Sequence, residues 1–396
     1  MKIIWLAPYP INKIDDNVFA YSLLKPGKGM WLVNLLENLK EYKEIDFNVI
    51  TYASKISKDI IINKNNTTFY VLRYSIPFIK KGFPTYFPIH KIFQYPYLKN
   101  KIKKIIKNIN PDLIHIHGTE DVYILPPIKL DYPIIVSIQG IVEEIYRAKK
   151  TLNYYFQKKI ELKGIKTYKN FGCRTSFDTS FVKRINKNAN IYYMPEAINE
   201  VFFQKEYKPI NNRTLNFVGS VSKVKGIEIL IKAIENIKNT FPDIKVNIIG
   251  PVIKNYHLFL INLINDLKLN ENFVFHGFKT SDEIVNLHLE SQLFVLPSFI
   301  ENSPNSLCEA MAIGLPCIAS NTGGIPSIIS NGENGILVEP GNIKELSHSI
   351  IKLLINIDFA NRLGNNARMT AIKRHLPSEV SRITMEVYKT ILNNEL

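Results

Sequence analysis

Residues 293–316 read LFVLPSFIENSPNSLCEAMAIGLP: an apolar run, a polar loop and a short helical pattern. The run Leu293–Leu296 predicts a buried strand. Ser303 is a preferred helix N-cap and proline suits the first helical position, so we expect a helix over residues 304–313. The Gly-Leu-Pro that follows would end this helix. A strand that turns directly into a helix is the repeating unit of parallel α/β sheets.

Similar apolar runs recur along the chain and predict further strands. In the first half they are Lys2–Leu6, Phe47–Thr51, Leu113–His117, Ile134–Ile138 and Ile191–Met194. In the second half they are Leu215–Val218, Val246–Ile249, Phe273–His276, Cys317–Ala319 and Ile336–Val338. Amphipathic stretches between them predict helices at Ile227–Ile237, Leu258–Leu267, Glu283–Leu289 and Ile343–Leu354. Continuous apolar strands alternating with helices indicate parallel sheets covered on both faces.

The two series of strands predict an α/β protein with two doubly wound, Rossmann-like parallel-sheet domains that face each other across a cleft. Apolar periodicity lapses between residues 195 and 213, a stretch that contains Pro, Asn and Lys. We therefore expect an N-terminal domain over residues 1–200 and a C-terminal domain over residues 201–376. In open sheets of this class, ligands bind beyond the carboxyl ends of the strands, near helix N-termini.

The composition excludes several classes of protein. Hydrophobic residues make up 46% and charged residues 21% of the 396 residues, which is typical of globular chains and not of disordered ones. The apolar runs are far shorter than the ~20 residues that cross a bilayer. Pro8 and Pro10 interrupt the first run, so no secretory signal is expected. Three cysteines are too few for a disulfide framework, and we expect a cytoplasmic protein.

The positive charge is concentrated in one half of the chain. Residues 1–200 hold 31 Lys and Arg against 17 Asp and Glu, whereas residues 201–396 hold 19 against 18. A general enrichment in lysine would affect both halves equally. The asymmetry favours an anionic partner for the first half, and a solvated basic surface is the alternative.

The stretch after Leu293–Leu296 carries the clearest functional pattern. The backbone N–H groups of residues 305–307 would lie free at a strand-to-helix turn, which suits the binding of phosphate. Glu301 precedes the predicted helix and Glu309 lies more than one turn inside it, so the two carboxylates would address different parts of one ligand. The alternative is that both are ordinary surface residues. Glu309 has apolar neighbours in sequence, however, and a carboxylate there is expected to have a specific hydrogen-bonding partner.

A second strand-end turn follows Leu215–Val218. Its small residues would allow a ligand to approach the backbone closely, and Lys223 and Lys225 offer cations to phosphates. Alone this pattern is weak, since glycine and lysine are common in any turn.

Taken together, these segments resemble the family 4 retaining glycosyltransferases of GT-B fold. The resemblance spans nearly the whole second half of the chain and rests on motifs at family-like spacings: Phe217-x-Gly219, Lys225-Gly226, Gly250-Pro251, Phe275-His276-Gly277, Leu296-Pro297-Ser298, Glu301-x7-Glu309-Ala310-Met311-Ala312-x-Gly314-x-Pro316 and Gly335-Ile336-Leu337-Val338-x-Pro340-Gly341. It implies that the second domain binds a nucleotide-sugar donor and the first domain binds the acceptor. It also implies that the C-terminal segment 377–396 is a helix that packs back on the first domain.

The resemblance implies roles for individual residues. Glu309 would accept hydrogen bonds from the ribose hydroxyls, Glu301 would face the donor sugar, and Lys225 would neutralise the diphosphate. The segment that begins with Gly277 and Phe278 would pass near the base. The other residues implied on the donor side are Gly29, Gly219, Ser220, Asn305, Ser306 and Leu307.

The first half resembles the family less closely, through Gly27–Met30, Asp112–His117 and Gly172–Asp178. His117 would be a polar residue lining the acceptor side of the cleft. A metal pair with His115 is disfavoured because no third ligand lies nearby in sequence. Arg174 and Asp178 would either line the acceptor side or form a structural ion pair.

Two positions depart from the family pattern. Ser220 stands where an arginine often contacts the diphosphate, and Gln139 stands where a histidine commonly faces the donor sugar. Loss of a cationic hydrogen bond is typically worth ~1.5–3 kcal/mol, which Lys223 could partly replace. Glutamine can bind a sugar hydroxyl but cannot carry a proton, so any catalytic role of Gln139 would be in positioning.

The function expected is the transfer of a sugar, with retention, from a UDP- or GDP-sugar to a glycan or lipid-linked acceptor in bacterial surface-polysaccharide assembly. No Asp-x-Asp motif occurs, and no metal or other cofactor is expected. One alternative is a catalytically weak nucleotide-sugar-binding partner of an assembly complex. Another is an epimerase or phosphorylase on the same fold.

Aromatic and cationic residues are dense between Phe69 and Lys107. Such a mixture is typical of an interfacial membrane contact, and no nucleic-acid motif accompanies it. We expect peripheral binding to an anionic surface at the inner face of the cell membrane, and no nucleic-acid partner.

Overall fold

The computed structural model describes residues 1–14, 29–53, 56–74 and 89–395. The chain divides into two units, each with its own sheet and core. The first unit comprises Met1–Pro195 together with Val380–Leu396, and the second comprises Glu196–Glu379. These limits lie within five residues of those expected from the sequence.

The first unit is built on an eight-stranded sheet in the order β3-β4-β2-β1-β5-β6-β7-β8. All neighbouring strands are parallel except β3, which pairs antiparallel with β4 at the edge. The strands are β1 (Lys2–Leu6), β2 (Asp46–Ala53), β3 (Ile60–Lys64), β4 (Thr67–Arg73), β5 (Leu113–His117), β6 (Ile134–Ser137), β7 (Asn170–Cys173) and β8 (Asn190–Tyr193).

The helices of this unit flank the sheet with one apolar side each. They are α1 (Met30–Leu39), α2 (Ile89–Ile92), α3 (Pro96–Ile109), α4 (Val142–Ala148), α5 (Leu152–Thr167) and α6 (Ser176–Ile185). In α3 the buried residues Leu98, Ile102 and Ile106 recur every four positions, and lysines occupy much of the rest of the helix. This spacing places the three on one face, which packs into the core.

The second unit contains a six-stranded parallel sheet in the order β11-β10-β9-β12-β13-β14. Its strands are β9 (Thr214–Val218), β10 (Lys245–Ile249), β11 (Phe273–Gly277), β12 (Leu293–Leu296), β13 (Cys317–Ser320) and β14 (Ile336–Val338). The helices that follow α6 along the chain are α7 (Val201–Gln204), α8 (Ile227–Ile237), α9 (Lys254–Asp266), α10 (Ser281–Leu289), α11 (Asn305–Ile313), α12 (Ile343–Ile355), α13 (Ile357–His375) and α14 (Pro377–Glu395).

The predicted α/β class is confirmed, and all eleven predicted strands are present to within two residues at either end. The sequence did not predict β3, β4 or β7. β3 escapes detection because it is an exposed edge strand with a polar end. Asn65 and Asn66, both with positive φ, form the tight turn that reverses the chain into β4.

The start of α11 corrects one expectation. The helix begins at Asn305, and its N-cap is Pro304 in an extended conformation without a side-chain cap. Ser303 therefore does not cap the helix, and no described residue hydrogen-bonds its hydroxyl. The difference is a single residue, because the fixed φ of proline is compatible with either position.

Helix α14 returns to the first unit through a buried hydrogen-bond chain. The Trp5 indole N–H donates to the Tyr388 hydroxyl oxygen at 3.0 Å, and that hydroxyl lies 2.6 Å from Nδ1 of His115. Since the tryptophan can only donate, the tyrosine O–H is free to donate to His115. The other ring nitrogen of His115 then donates to Ser137 Oγ at 2.7 Å. Burial lowers the pKa of His115 to about 3, which keeps the ring neutral, as this chain requires.

We predict that Tyr388→Phe destabilises the protein by about 1–3 kcal/mol, because it leaves two buried polar groups unpaired. Urea denaturation at pH 7, followed by tryptophan fluorescence, measures the change. Tyr97→Phe is the control, since Tyr97 is 46% exposed and should be nearly neutral. Equal unfolding free energies for the two variants would contradict the role assigned to the hydroxyl.

Candidate functional site

The candidate site lies where the strand order of the second unit reverses. β9 and β12 are neighbours, and the chain leaves them towards opposite edges of the sheet. Ligands of open α/β sheets bind at the carboxyl ends of strands at such a point. Gly219, Ser220 and Lys225 follow β9, and Glu301 and α11 follow β12. The structure thus brings together most of the residues predicted on the donor side.

Glycines allow the loops at this point to touch. A Cβ on Gly226, which has φ +73°, would lie 1.9 Å from the carbonyl oxygen of Pro297. A Cβ on Gly323 would lie 1.7 Å from the carbonyl oxygen of Glu301. The Phe299 N–H also donates to the carbonyl of Val224 at 2.8 Å. The loops after β9, β12 and β13 are therefore held against one another by backbone contact.

Lys225 and Glu301 form an ion pair across two of these loops. The side chain of Glu301 is only 7% exposed, whereas that of Lys225 is 25% exposed. The ammonium group compensates a carboxylate that would otherwise be buried without a counter-charge. The lysine remains open enough to contact a second anion.

The N-terminus of α11 offers two free donors. No described residue accepts a hydrogen bond from the backbone N–H of Asn305 or Ser306, and both residues are half-buried. The N–H of Leu307 instead donates to the Pro304 carbonyl at 3.1 Å. Leu307 is therefore not the free backbone donor that the sequence predicted, because the first turn of the helix tightens around Pro304.

Glu309 lies one turn into the same helix. Burial raises the pKa of its carboxyl group to about 7. The expected protein partner is not found: no described residue forms a hydrogen bond or ion pair with this carboxylate. The residue is nevertheless only half-buried, so a ligand can reach it. A half-buried carboxylate without a protein partner is suited to accept hydrogen bonds from hydroxyl groups of a ligand.

The remaining predicted donor residues are exposed to different degrees. Ser220 is exposed, and Gly219 and Gly277 are half-buried. Phe278 is 53% exposed and follows β11, two strands away from β9. Gly250 connects these loops, since its N–H donates to the Gly277 carbonyl at 2.7 Å and a Cβ on it would lie 1.9 Å from the Gly219 carbonyl oxygen.

In the first unit, His117 is the last residue of β5, Gln139 and Arg174 follow β6 and β7, and Gly29 directly precedes α1. Gly29, with φ +80°, is the N-cap of α1. His117 is 2% exposed, and neither ring nitrogen has a hydrogen-bond partner among the described residues. Burial, and then the neighbouring His115, lower the pKa of His117 well below its usual value. Both ring nitrogens of His115 are already hydrogen-bonded, so the pair is not arranged to bind a metal.

Arg174 and Asp178 are both buried. The Asp178 carboxylate accepts hydrogen bonds from the backbone N–H groups of Arg174 and Thr175 at 2.9 and 2.8 Å. It thereby completes a capping box at the start of α6. The Arg174 guanidinium donates to the backbone carbonyl of half-buried Gln139 and so joins the ends of β6 and β7. Asp178 therefore caps α6 through backbone N–H groups, a structural role that differs from the ion pair with the Arg174 side chain considered above.

Two buried carboxyl groups near this edge were missed by sequence reasoning. Burial raises the pKa values of Glu120 and Glu161 to about 7. Glu161 accepts from Thr119 Oγ1 at 2.8 Å and from the Val142 N–H at 3.0 Å. The polar run that begins directly after β5 was the available signal for Glu120. Nothing in the amphipathic pattern of α5 distinguishes Glu161 from a surface residue.

Residues 198–370 match the family described as glycosyl transferases group 1. The matched residues all lie in the second unit, and this unit is similar to the group 1 glycosyltransferases. The chain is 23% identical over 329 residues to N-acetyl-alpha-D-glucosaminyl L-malate synthase of Bacillus anthracis, an alignment that covers 77% of this chain and 83% of the relative.

Solved structures confirm the GT-B fold of the chain. Sucrose-phosphate synthase of Thermosynechococcus elongatus superposes with a TM-score of 0.79 and 16% identity, over all of both chains. HepE of Anabaena, in complex with UDP and glucose, gives a TM-score of 0.72 at 16% identity, over 98% of this chain and all of HepE. The use of a nucleotide-sugar donor by this chain stays a prediction.

We predict that Glu309→Gln raises the free energy of unfolding of the ligand-free enzyme, relative to the parent, more at pH 8 than at pH 4.5. Folding raises the pKa of Glu309 from the ordinary 4.5 to about 7. The contribution of this carboxyl group to stability is therefore fully present below pH 4.5 and is lost as the pH rises to 7. The variant has no carboxyl group to ionise at this position and does not lose this contribution. Its free energy of unfolding relative to the parent should therefore rise by about 1–2 kcal/mol between pH 4.5 and pH 8, after allowance for solvent screening. Urea denaturation of both proteins at pH 4.5, 6 and 8 measures the difference.

Glu283→Gln is the control with the opposite sign. A hydrogen bond from Lys279, with others from Thr280, lowers the pKa of Glu283 to about 2. The Glu283 carboxylate stabilises the fold above its pKa in the unfolded chain, and this stabilisation is lost as the pH falls. Compared with the parent, Glu283→Gln should therefore be least stable near neutral pH. Parallel pH profiles for the parent and Glu309→Gln would show that Glu309 is not held in its protonated form by the fold.

We also predict that Lys225→Met lowers stability by up to roughly 3 kcal/mol, because it leaves the Glu301 carboxylate buried without a counter-charge. Lys225→Met/Glu301→Gln should recover most of this loss. Thermal and urea denaturation of the two variants at pH 7.5 measure both effects. If the double variant is no more stable than the single one, the ion pair is not what compensates Glu301.

Proposed function

We propose that the enzyme transfers a sugar, with retention and without a metal ion, from a UDP- or GDP-sugar to a glycan or lipid-linked acceptor in bacterial surface-polysaccharide assembly. One observation carries the donor site: two free backbone N–H groups at the start of α11, the Lys225 ammonium group and the Glu309 carboxylate all lie at the point where the strand order reverses. A nucleoside diphosphate needs donors for its phosphates and an acceptor for its ribose hydroxyls, and both kinds of group are present there.

The diphosphate would lie at the N-terminus of α11. The N–H groups of Asn305 and Ser306, together with the helix dipole, favour an anion at this position. Lys225 would turn from Glu301 to the phosphates and stabilise the negative charge that develops on the leaving nucleotide. In this proposal the fold supplies the positive charge that a divalent ion supplies in other transferases.

Release of Lys225 would leave the Glu301 carboxylate open to a new partner. A hydroxyl group of the donor sugar can donate to it and so replace the lost counter-charge by a hydrogen bond. Binding of the diphosphate to Lys225 and binding of the sugar to Glu301 would then favour each other. This coupling assigns Glu301 to the donor sugar, as the family resemblance implies.

Glu309 would bind the ribose. Two hydroxyl groups that donate to one carboxylate favour its ionised form and oppose the burial that raises its pKa. Binding would therefore release a proton below pH 7 and strengthen as the pH rises from 6 to 8. The doubly esterified diphosphate of a nucleotide-sugar has no group that titrates in this range, whereas the terminal phosphate of free UDP or GDP, with a pKa of about 6, also titrates.

The retaining mechanism is proposed without a protein base at Gln139. A glutamine cannot accept a proton, whereas the leaving phosphate can take the proton of the acceptor hydroxyl. Gln139 would then position the sugar. His117 and Arg174 remain predictions on the acceptor side, and retention is tested by the anomeric configuration of the product.

Ser220 motivates one alternative function. It supplies no cation where the family often has one, which favours a weak enzyme or a nucleotide-sugar-binding partner. Such a protein would bind nucleotide without turnover when donor and acceptor are both present. An epimerase would instead change the donor with no acceptor present.

We predict that one nucleotide series, UDP or GDP, stabilises the enzyme against heat, with no effect of EDTA. Ligand at 100 times its dissociation constant adds about 2.7 kcal/mol of stability. Glu309→Ala should abolish most of the shift, and Glu235→Ala, on α8 of the same unit, should retain it. A thermal-shift panel of UDP, GDP and their common sugars at pH 6 and 8 makes the measurement.

The results that would contradict the proposal are distinct. No shift with any nucleotide would contradict the donor site. A shift that Glu309→Ala retains would place the ribose elsewhere, and a shift lost in EDTA would contradict metal independence. An equal shift by a nucleotide-sugar at pH 6 and 8 would contradict the ionised state assigned to bound Glu309.

A further inference from the structure

The tip of the helical hairpin formed by α4 and α5 exposes apolar side chains among lysines. Leu152 is 53% exposed, and Ile145 and Tyr155 are each 38% exposed. Lys149 and Lys150 lie between the two helices and are also exposed. We call residues 145–159 the α4–α5 tip. Single exposed apolar side chains are common, but an apolar patch rimmed by polar residues marks an interaction site.

The base of the hairpin is rigidly held. The buried Glu161 carboxylate accepts hydrogen bonds from the backbone N–H groups of Val142 and Glu143 at 3.0 and 3.2 Å. Gly164 allows α5 to lie against Ile124, since a Cβ there would be 2.0 Å from Ile124 Cδ1. The exposed tip is therefore presented by a fixed scaffold and needs no further folding to act.

The acidic groups near the tip are already neutralised. Glu144 pairs with Arg147 at 2.8 Å, and Glu143 pairs with Arg184 at 2.7 Å. Lys149, Lys150 and Lys159 have no acidic partner among the described residues. The tip therefore carries a net positive charge around its apolar side chains.

This combination is suited to the interface of an anionic lipid bilayer. Lysines interact with the lipid headgroups, while leucine, isoleucine and tyrosine side chains reach the level of the acyl chains. Lys159 lies 4.6 Å from the centre of the Tyr155 ring, so the charged and apolar parts of the surface are contiguous. A nucleic acid would use the cations and the tyrosine, but it gives no reason for exposed leucine and isoleucine.

A second exposed apolar surface provides the contrast. Ile253 and Phe259, at the start of α9, are 74% and 48% exposed. They lie in the half of the chain whose charges nearly cancel. Charge, not exposed apolar area alone, distinguishes the α4–α5 tip.

We propose that the α4–α5 tip docks the first unit on an anionic membrane. The proposal goes beyond sugar transfer and does not depend on it, although a lipid-linked acceptor would be found at such a surface. The membrane contact expected between Phe69 and Lys107 stays a prediction, since Phe93 and Tyr97 of that stretch are 67% and 46% exposed. Phe69 is buried in the sheet, and Phe78, Lys80, Lys81, Phe83, Tyr86 and Phe87 of that stretch lie outside the described residues.

Co-sedimentation of the full chain with vesicles tests the proposal. Vesicles of phosphatidylcholine alone are compared with vesicles that contain one-third phosphatidylglycerol, at low and high salt. Lys149→Ser/Lys150→Ser should weaken binding to the anionic vesicles by roughly 5-fold per lysine, or about 30-fold for both. Ile145→Ser/Leu152→Ser should weaken it by at least 10-fold, and Ile253→Ser/Phe259→Ser is the matched control that should bind as the parent does.

Binding that does not depend on anionic lipid would overturn the proposal, as would equal binding by the parent and both tip variants. A loss in the α9 control as large as that in the tip variants would also overturn it. The nucleotide thermal shift of each variant is measured in parallel. A parent chain that binds vesicles but no nucleotide would refute the proposed donor site alone, and the reverse result would refute the membrane contact alone.

Discussion

Backbone contact between strand-end loops is the constraint on which the second unit depends. Carbonyl oxygens of Pro297, Gly219 and Glu301 occupy the space that a Cβ would need at positions 226, 250 and 323. Any side chain at these positions would force the loops apart. The pairing of Lys225 with Glu301 follows from this contact. The geometry of the site thus depends on three glycines that have no Cβ.

The sequence predicted the second unit better than the first. Its strands are continuous apolar runs and its helices, such as Ile227–Ile237, have a clear amphipathic period, so local pattern and burial agree. Glu301, Glu309 and Lys225 were predicted because motif spacing places Glu301 and Lys225 after strands and Glu309 in the helix that follows β12. Leu307 was wrongly assigned a free N–H, since a helix start shifted by one residue changes which donors are bonded.

The contacts that sequence could not predict join distant parts of the chain. The pairing of Lys225 with Glu301 spans 76 residues, and that of His115 with Tyr388 spans 273. Periodicity reports which face of an element is buried, but not which residue it meets. For the same reason Glu161 looked like a surface residue, although it anchors the base of a hairpin. Its three hydrogen bonds come from a loop and from another helix.

The hydrogen-bond chain from Trp5 to Ser137 has a consequence for biosynthesis. Its central hydroxyl belongs to Tyr388, which leaves the ribosome only after the whole of the second unit has been made. Until then the indole N–H of Trp5 and one nitrogen of His115 lack their partner. The second unit is continuous in sequence from Glu196 to Glu379, so all of it is synthesised before Tyr388. We therefore expect the N-terminal unit to reach its final state only after the second unit has been synthesised.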